Sequence, residues 1–121
     1  MIKNSAQLTD ITILAGQTQS RIVIGPNEYN DAEQLIFYAP AVLAEAVVIQ
    51  VNRNPLALAG DANWVTLQVV IGAALADAAS PVAGKARGFG SELCGTMAFR
   101  FVAGAAVAAD RTFQCTKHWS T

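Results

Sequence analysis

At 121 residues the chain has the size of one domain, and a hydrophobic fraction of 53% supplies enough apolar side chain to fill its core without a disulfide or a metal. Charged residues make up only 14%, against about 25% in ordinary soluble domains, and mean hydropathy is +0.35, so apolar surface is left over for a partner to cover. Eight basic and nine acidic residues give a net charge of −1, with the bases scattered; this excludes the clustered cationic face that a phosphate backbone requires, and nucleic acid is not an expected partner.

In chain order, residues 1–7 are polar and are expected to form a flexible N-terminal arm, leaving 8–121 as a single β-sandwich domain. Residues 8–14 (L-T-D-I-T-I-L) alternate as a strand does, residues 15–20 read as a turn, and residues 21–24 (R-I-V-I) predict a second strand ended by Gly25-Pro26. Residues 27–33 read as a loop. Residues 34–39 (Q-L-I-F-Y-A) predict a strand stopped by Pro40. Residues 47–51 predict another, with Val47, Ile49 and Val51 on one face, and residues 52–55 (N-R-N-P) are dense in turn formers.

Residues 64–70 predict a strand with Val65, Leu67 and Val69 on one side and Trp64, Thr66 and Gln68 on the other. Residues 80–89 are weaker strand, where Gly84, Gly88 and Gly90 mark bulges or an exposed edge. Residues 97–102 alternate clearly: Met97, Phe99 and Phe101 are expected in the core and Ala98, Arg100 and Val102 outside it. Residues 111–119 close the chain with Phe113, Cys115, Lys117 and Trp119 on one face. The alanine-rich runs 41–46, 73–79 and 103–109 are short and are expected to form helical turns within loops. The sum is an all-β fold, an antiparallel β-sandwich or barrel of about seven to eight short strands.

No chemistry-bearing constellation stands out. His118, the single histidine, lies at the chain end, where the rigid setting of a catalytic base is hard to provide. The nine carboxylates (Asp10, Glu28, Asp31, Glu33, Glu45, Asp61, Asp77, Glu92, Asp110) fall mostly where turns are expected. Residues 30–33 (N-D-A-E) lack the spaced oxygen ligands of a calcium loop, and Gly88-Phe89-Gly90 lacks the Lys-Ser/Thr of a phosphate loop. Cys94 and Cys115 with one histidine make no zinc set, and free thiols are expected. No catalytic, cofactor-binding or metal residue is therefore assigned, and the chain is not expected to be an enzyme. Trp64, Trp119, Tyr29 and Tyr38 are the candidate platform for a carbohydrate or another ligand; core or interface anchoring is their commoner role. The polar start and the absence of a run of ~18 apolar residues point away from a signal peptide and a membrane helix, and toward synthesis in a cytoplasm.

The order of three segments carries a resemblance. Residues 11–20 read I-T-I-L-A-G-Q-T-Q-S; residues 46–51 (A-V-V-I-Q-V) are followed by W-V-T-L at 64–67; and M-A-F-R-F at 97–101 leads to A-D-R-T-F at 109–113. This resembles a group of small β-sandwich virion structural proteins of tailed bacteriophages, similar to capsid decoration (cement) proteins and related head or tail accessory proteins. The chain departs from that group around 52–63, where N-R-N-P at 52–55 stands in place of an aspartate-glycine hairpin. The resemblance implies a protein of the virion that binds the major capsid protein or another virion protein, as a capsid decoration protein or as a tail, connector or fibre-associated part. It implies no catalytic residues and no cofactor. Low charge with excess apolar surface adds the expectation of a homo-oligomer, and a trimer would suit a threefold position on a shell. The aromatics at 119 and the arm 1–7 are the expected attachment points.

Overall fold

The computed structural model describes residues 4–29, 31–94 and 98–120. Among them the chain forms ten strands and two single helical turns. In order these are β1 (Asn4–Gln7), β2 (Ile11–Ile13), α1 (Pro26–Tyr29), β3 (Gln34–Tyr38), β4 (Val47–Asn52), β5 (Val65–Thr66), β6 (Gln68–Ile71), β7 (Ala74–Asp77), β8 (Ala86–Phe89), α2 (Ser91–Cys94), β9 (Ala98–Ala103) and β10 (Arg111–Trp119). Every strand pairing is antiparallel, and the fold is all-β.

One sheet runs β1-β10-β3-β8, with β2 also on β10; a second runs β5-β4-β9; β6 and β7 pair with each other alone. β1 and β2 lie end to end along the same edge of β10. β1 takes residues 116–119, the Leu8 amide donates to the Cys115 carbonyl at 2.8 Å, and β2 takes residues 111–113. Between them Thr9 and Asp10 together oppose Gln114, a bulge that carries one extra residue. It explains why the inward positions run Ala6 and Leu8, then Ile11 and Ile13: the parity shifts by one.

The core forms between the two sheets. Phe37 of β3 meets Phe99 and Phe101 of β9 edge-on at centroid distances of 5.7 and 5.0 Å, and Phe101 meets Phe113 of β10 at 4.9 Å. Such contacts add to the area these rings bury. Leu35, Ile49, Ile11, Ile13 and Phe89 complete the layer, all fully buried. The expected core positions Phe99 and Phe101 are thus in place; Met97 lies outside the described residues.

Several expectations are corrected. Asn4–Gln7 is no free arm: it is strand β1, held to β10 in register from Asn4↔Trp119 to Gln7↔Thr116. Backbone pairing needs no apolar side chain, which is why a polar segment can take an edge position; residues 1–3 lie outside the described residues. Residues 21–24 form no regular strand, because segment 18–24 touches β9 only through the bridges Gln19↔Val102 and Ile24↔Phe99 and the hydrogen bonds around them. The alanine run at 73–79 is strand β7 and its return, paired against β6, so cross-strand bonding overrides helix propensity. The helical turns stand instead at α1 and α2. Val65 does not share the inward face with Val69: it is exposed, because pairing partners change at Leu67. That division, with β1 and β7 added and the strand at 21–24 lost, brings the strand count to ten.

Candidate functional site: an apolar margin beside β5

The residues singled out for chemistry are taken up by local structure. The His118 Nε2 lies 2.9 Å from the Thr116 hydroxyl, and its backbone carbonyl accepts from the Glu33 amide. The carboxylates serve turns and ion pairs: Asp110 accepts from the Ala15 amide at 2.8 Å, Glu92 from the Gly90 amide at 3.0 Å, and Asp31 pairs with Lys117 at 2.8 Å. Among the described residues no group of three or more His, Cys, Asp or Glu side chains converges. The four aromatics do not form one platform. Tyr29 is in the core, Trp64 lies under Arg100 beside the second sheet, and Trp119 stands against Lys117 at the β1–β10 end of the first.

What does collect in one stretch of chain is exposed apolar side chain. Nine large hydrophobics are exposed among the described residues, and six of them (Leu56, Leu58, Val65, Val70, Ile71, Leu75) fall within one stretch of chain around β5. From Ala62 through Ala76 no side chain is charged. Two devices present this surface, one on each side of β5.

The first is the loop 53–62, which leaves the end of β4 and returns as β5. Polar side chains fix its backbone almost residue by residue. Asn52 Oδ1 accepts from the Asn54 amide at 2.9 Å, Asn52 Nδ2 donates to the Ala62 carbonyl at 3.0 Å, and Asn54 Oδ1 accepts from the Leu56 amide at 3.0 Å. Asp61 Oδ2 accepts from the Leu58 amide at 2.8 Å, and Trp64 Nε1 donates to the Leu58 carbonyl at 3.1 Å. Asn63 takes φ 72°, a left-handed conformation that asparagine tolerates better than most residues.

Arg100 locks the assembly from below. Its guanidinium donates to Gln50 Oε1 at 3.0 and 2.7 Å and to the Ala59 carbonyl, and it lies 4.6 Å from the centroid of Trp64. Desolvation there lowers its pKa from the ordinary value. With these bonds in place Ala57 points inward at 5% exposure, while its neighbours Leu56 and Leu58 stand out at 75% and 69%. A loop built only for stability would turn the leucines in. This one buries the alanine and holds two leucines rigidly in water.

The second device is the hairpin formed by β6 and β7. Its two-residue turn, Gly72-Ala73, has Gly72 at φ 63°, the conformation that a II′-type hairpin asks of its first turn residue. Val69 anchors it in the core; Val70, Ile71 and Leu75 are more than half exposed. The Arg87 guanidinium, 4.5 Å from the Phe89 ring centroid, donates to the Ala79 carbonyl at 2.9 Å and ties the hairpin's return segment to the first sheet.

Neither device was legible in sequence. Leu56, Leu58 and Leu75 look like any core leucine, and Arg100 reads as an outward strand residue; the turn formers at 52–55 and the charge-free run 62–76 are the signals the sequence offers.

No family model matches the chain, and no curated protein matches it. Among solved structures it is similar to the SPBc2 prophage-derived protein YomS, with a TM-score of 0.57 over 98% of this chain and 97% of that one, at 13% identity. At that identity what the two share is the fold.

Proposed function

We propose that this chain is a bacteriophage virion structural protein that acts by docking and not by catalysis, as a capsid decoration protein seated on the major capsid protein. The observation that carries the reading is the rigid presentation of Leu56 and Leu58. A preorganised apolar anchor loses little conformational freedom when a partner covers it, which is how a small contact becomes specific. The fold shared with a prophage-derived protein supports the phage part of the reading, as does the sequence resemblance to phage β-sandwich proteins. A shell repeats its lattice many times, so even a modest contact at each copy sums to a large stabilisation. On this reading the protein is made in the host cytoplasm, ends in the virion, and needs neither cofactor nor nucleic acid for attachment.

The test is to purify particles of the phage that encodes the chain and measure its copy number against the shell protein. Copy numbers commensurate with the shell lattice are expected, together with particles that rupture at lower temperature when the chain is absent. Leu56→Asp with Leu58→Asp should release it from particles while its own melting temperature stays nearly unchanged, since both positions are exposed. A few copies confined to the tail or the connector would assign it there instead, and absence from particles would end the virion reading.

A further inference from the structure

We infer that the β6–β7 hairpin is a self-association arm, and that the β7 edges of two copies pair about a two-fold axis to make one four-stranded sheet. Among the described residues the hairpin pairs with no other strand of its own chain. A two-stranded hairpin is marginal in water, and three or more strands are needed before such a sheet is stable by itself. The chain leaves this one without the guards that soluble proteins place on open edges. The edge strand β8, by contrast, carries Arg87 with Lys85 just before it. Along β6 and β7 the single charge is Asp77, at the base.

Hydrogen-bond alternation says which backbone groups are free. A two-residue turn closes on the bonded pair Ile71↔Ala74, so on β7 the amide and carbonyl of Leu75 and of Asp77 point away from β6. Leu75 is flanked by Ala74 and Ala76, which leave room for a second strand to approach.

The occupant is a second copy because the edge is self-complementary. It offers alternating donors and acceptors, and a two-fold mate supplies their matches by construction. No like charges meet along the neutral stretch 62–76, whereas a charged partner would find no countercharge there. An apolar patch of this kind, on the order of 300–600 Å², is smaller than the ~800 Å² per partner of a standard interface. A dimer of micromolar affinity is therefore expected. This pairing concerns the isolated chain and stands apart from the docking of the 53–62 loop on a shell.

Sedimentation velocity of the full chain from about 1 µM to about 1 mM tests it. The expected result is a concentration-dependent shift from 12.7 kDa toward twice that mass. Leu75→Lys, which places a charge on the edge, should weaken association at least about ten-fold at an unchanged melting temperature, and Leu58→Lys should leave it as in wild type. Amide exchange at Leu75 should slow only at dimer-forming concentrations. A chain that stays monomeric throughout overturns the inference, as does a dimer indifferent to Leu75→Lys. A species of three chains, or one abolished by Leu58→Lys alone, overturns the two-fold edge pairing in favour of another surface.

Discussion

The Ala78 amide donates to the Leu67 carbonyl at 2.7 Å, although the whole β6–β7 hairpin separates the two residues in sequence. Both also bond Ile49: the Leu67 amide donates to its carbonyl at 3.0 Å, and its own amide donates to the Ala78 carbonyl at 2.9 Å. Leu67 and Ala78 therefore share a single place in the strand beside β4. The register continues from Val51↔Val65 and Gln50↔Thr66 to Val48↔Ala79 as though the hairpin were absent. The hairpin is an excursion from one composite strand.

It follows that deleting residues 68–78 and joining Leu67 to Ala79 should leave the sandwich folded. The loss is Val69, whose burial contributes about 1.5–3 kcal/mol, and the fully buried Ala78. Urea unfolding is expected to stay cooperative, with stability lower by about that amount. A variant that loses its strand circular dichroism would mean that the hairpin is integral to the second sheet.

The core is expected to be far less forgiving. Phe99 and Phe101 are fully buried and both meet Phe37 across the sandwich. Phe99→Ala and Phe101→Ala should each cost about 3–5 kcal/mol, a large part of the stability of a domain this size. Equilibrium denaturation checks this, and a wild-type midpoint in either variant would contradict the packing described.

Legibility in the sequence followed side-chain alternation. β3, β4, β9 and β10 were readable because branched and aromatic residues recur at every second position, as in Arg111–Trp119, whose bounds agree with the expected strand. β1 was not, since N-S-A-Q has no apolar pattern and its pairing depends on backbone groups that β10 offers. β7 reads as helix because alanine favours helix when nothing else is known, and its cross-strand partner β6 is visible only in the fold. For the candidate site the turn chemistry of Asn52, Asn54 and Asp61 was recognisable as turn chemistry. Which carbonyls and amides they would hold, and that the leucines between them would face out, depended on Arg100 and Trp64 from other parts of the chain.

The cysteines should be poor nucleophiles. Burial pushes the Cys115 thiol up to about 12, and raises that of Cys94 as well. Brief iodoacetamide treatment at pH 8 should leave Cys115 unmodified in the native protein and alkylate it fully in denaturant. Mass spectrometry of the Cys115 peptide is the readout; rapid native labelling would mean that the β10 face opens readily.

Stability should fall in acid through Glu45. Arg111 donates to it at 3.0 and 3.4 Å, with little of either side chain exposed, and that hydrogen bonding holds the Glu45 carboxyl below its ordinary value of 4.5. A folded-state pKa below the unfolded one contributes stability that is complete above pH 4.5 and is lost as pH falls through the folded value. Asp31 beside Lys117 and Glu33 beside Ser120 act in the same direction. Melting temperatures of wild type and Glu45→Gln should differ by a constant amount near neutrality and converge as pH drops below 4.5. A gap that persists unchanged into strong acid would assign the effect of the substitution to packing.

Arg100 is the residue whose loss should separate the presentation of Leu56 and Leu58 from the fold itself. Its guanidinium bonds both a sheet residue, Gln50, and the loop backbone at Ala59, with Trp64 stacked upon it. Arg100→Met keeps the aliphatic bulk and removes the fork, leaving the Gln50 amide and the Ala59 carbonyl without their donor, at a cost of about 1.5–3 kcal/mol for a charged hydrogen bond. Hydrogen exchange should accelerate across residues 53–62 while β3 and β10 keep wild-type protection. Arg100→Lys should not restore the loop, because an ammonium cannot hold Gln50 and Ala59 in the planar geometry of a guanidinium. Attachment to particles should then fall although Leu56 and Leu58 are both present, since an anchor that moves must be ordered again on binding. If exchange across 53–62 is the same in Arg100→Met as in wild type, then Asn52, Asn54 and Asp61 hold the loop without help, and Arg100 serves only to cover the outer face of the second sheet.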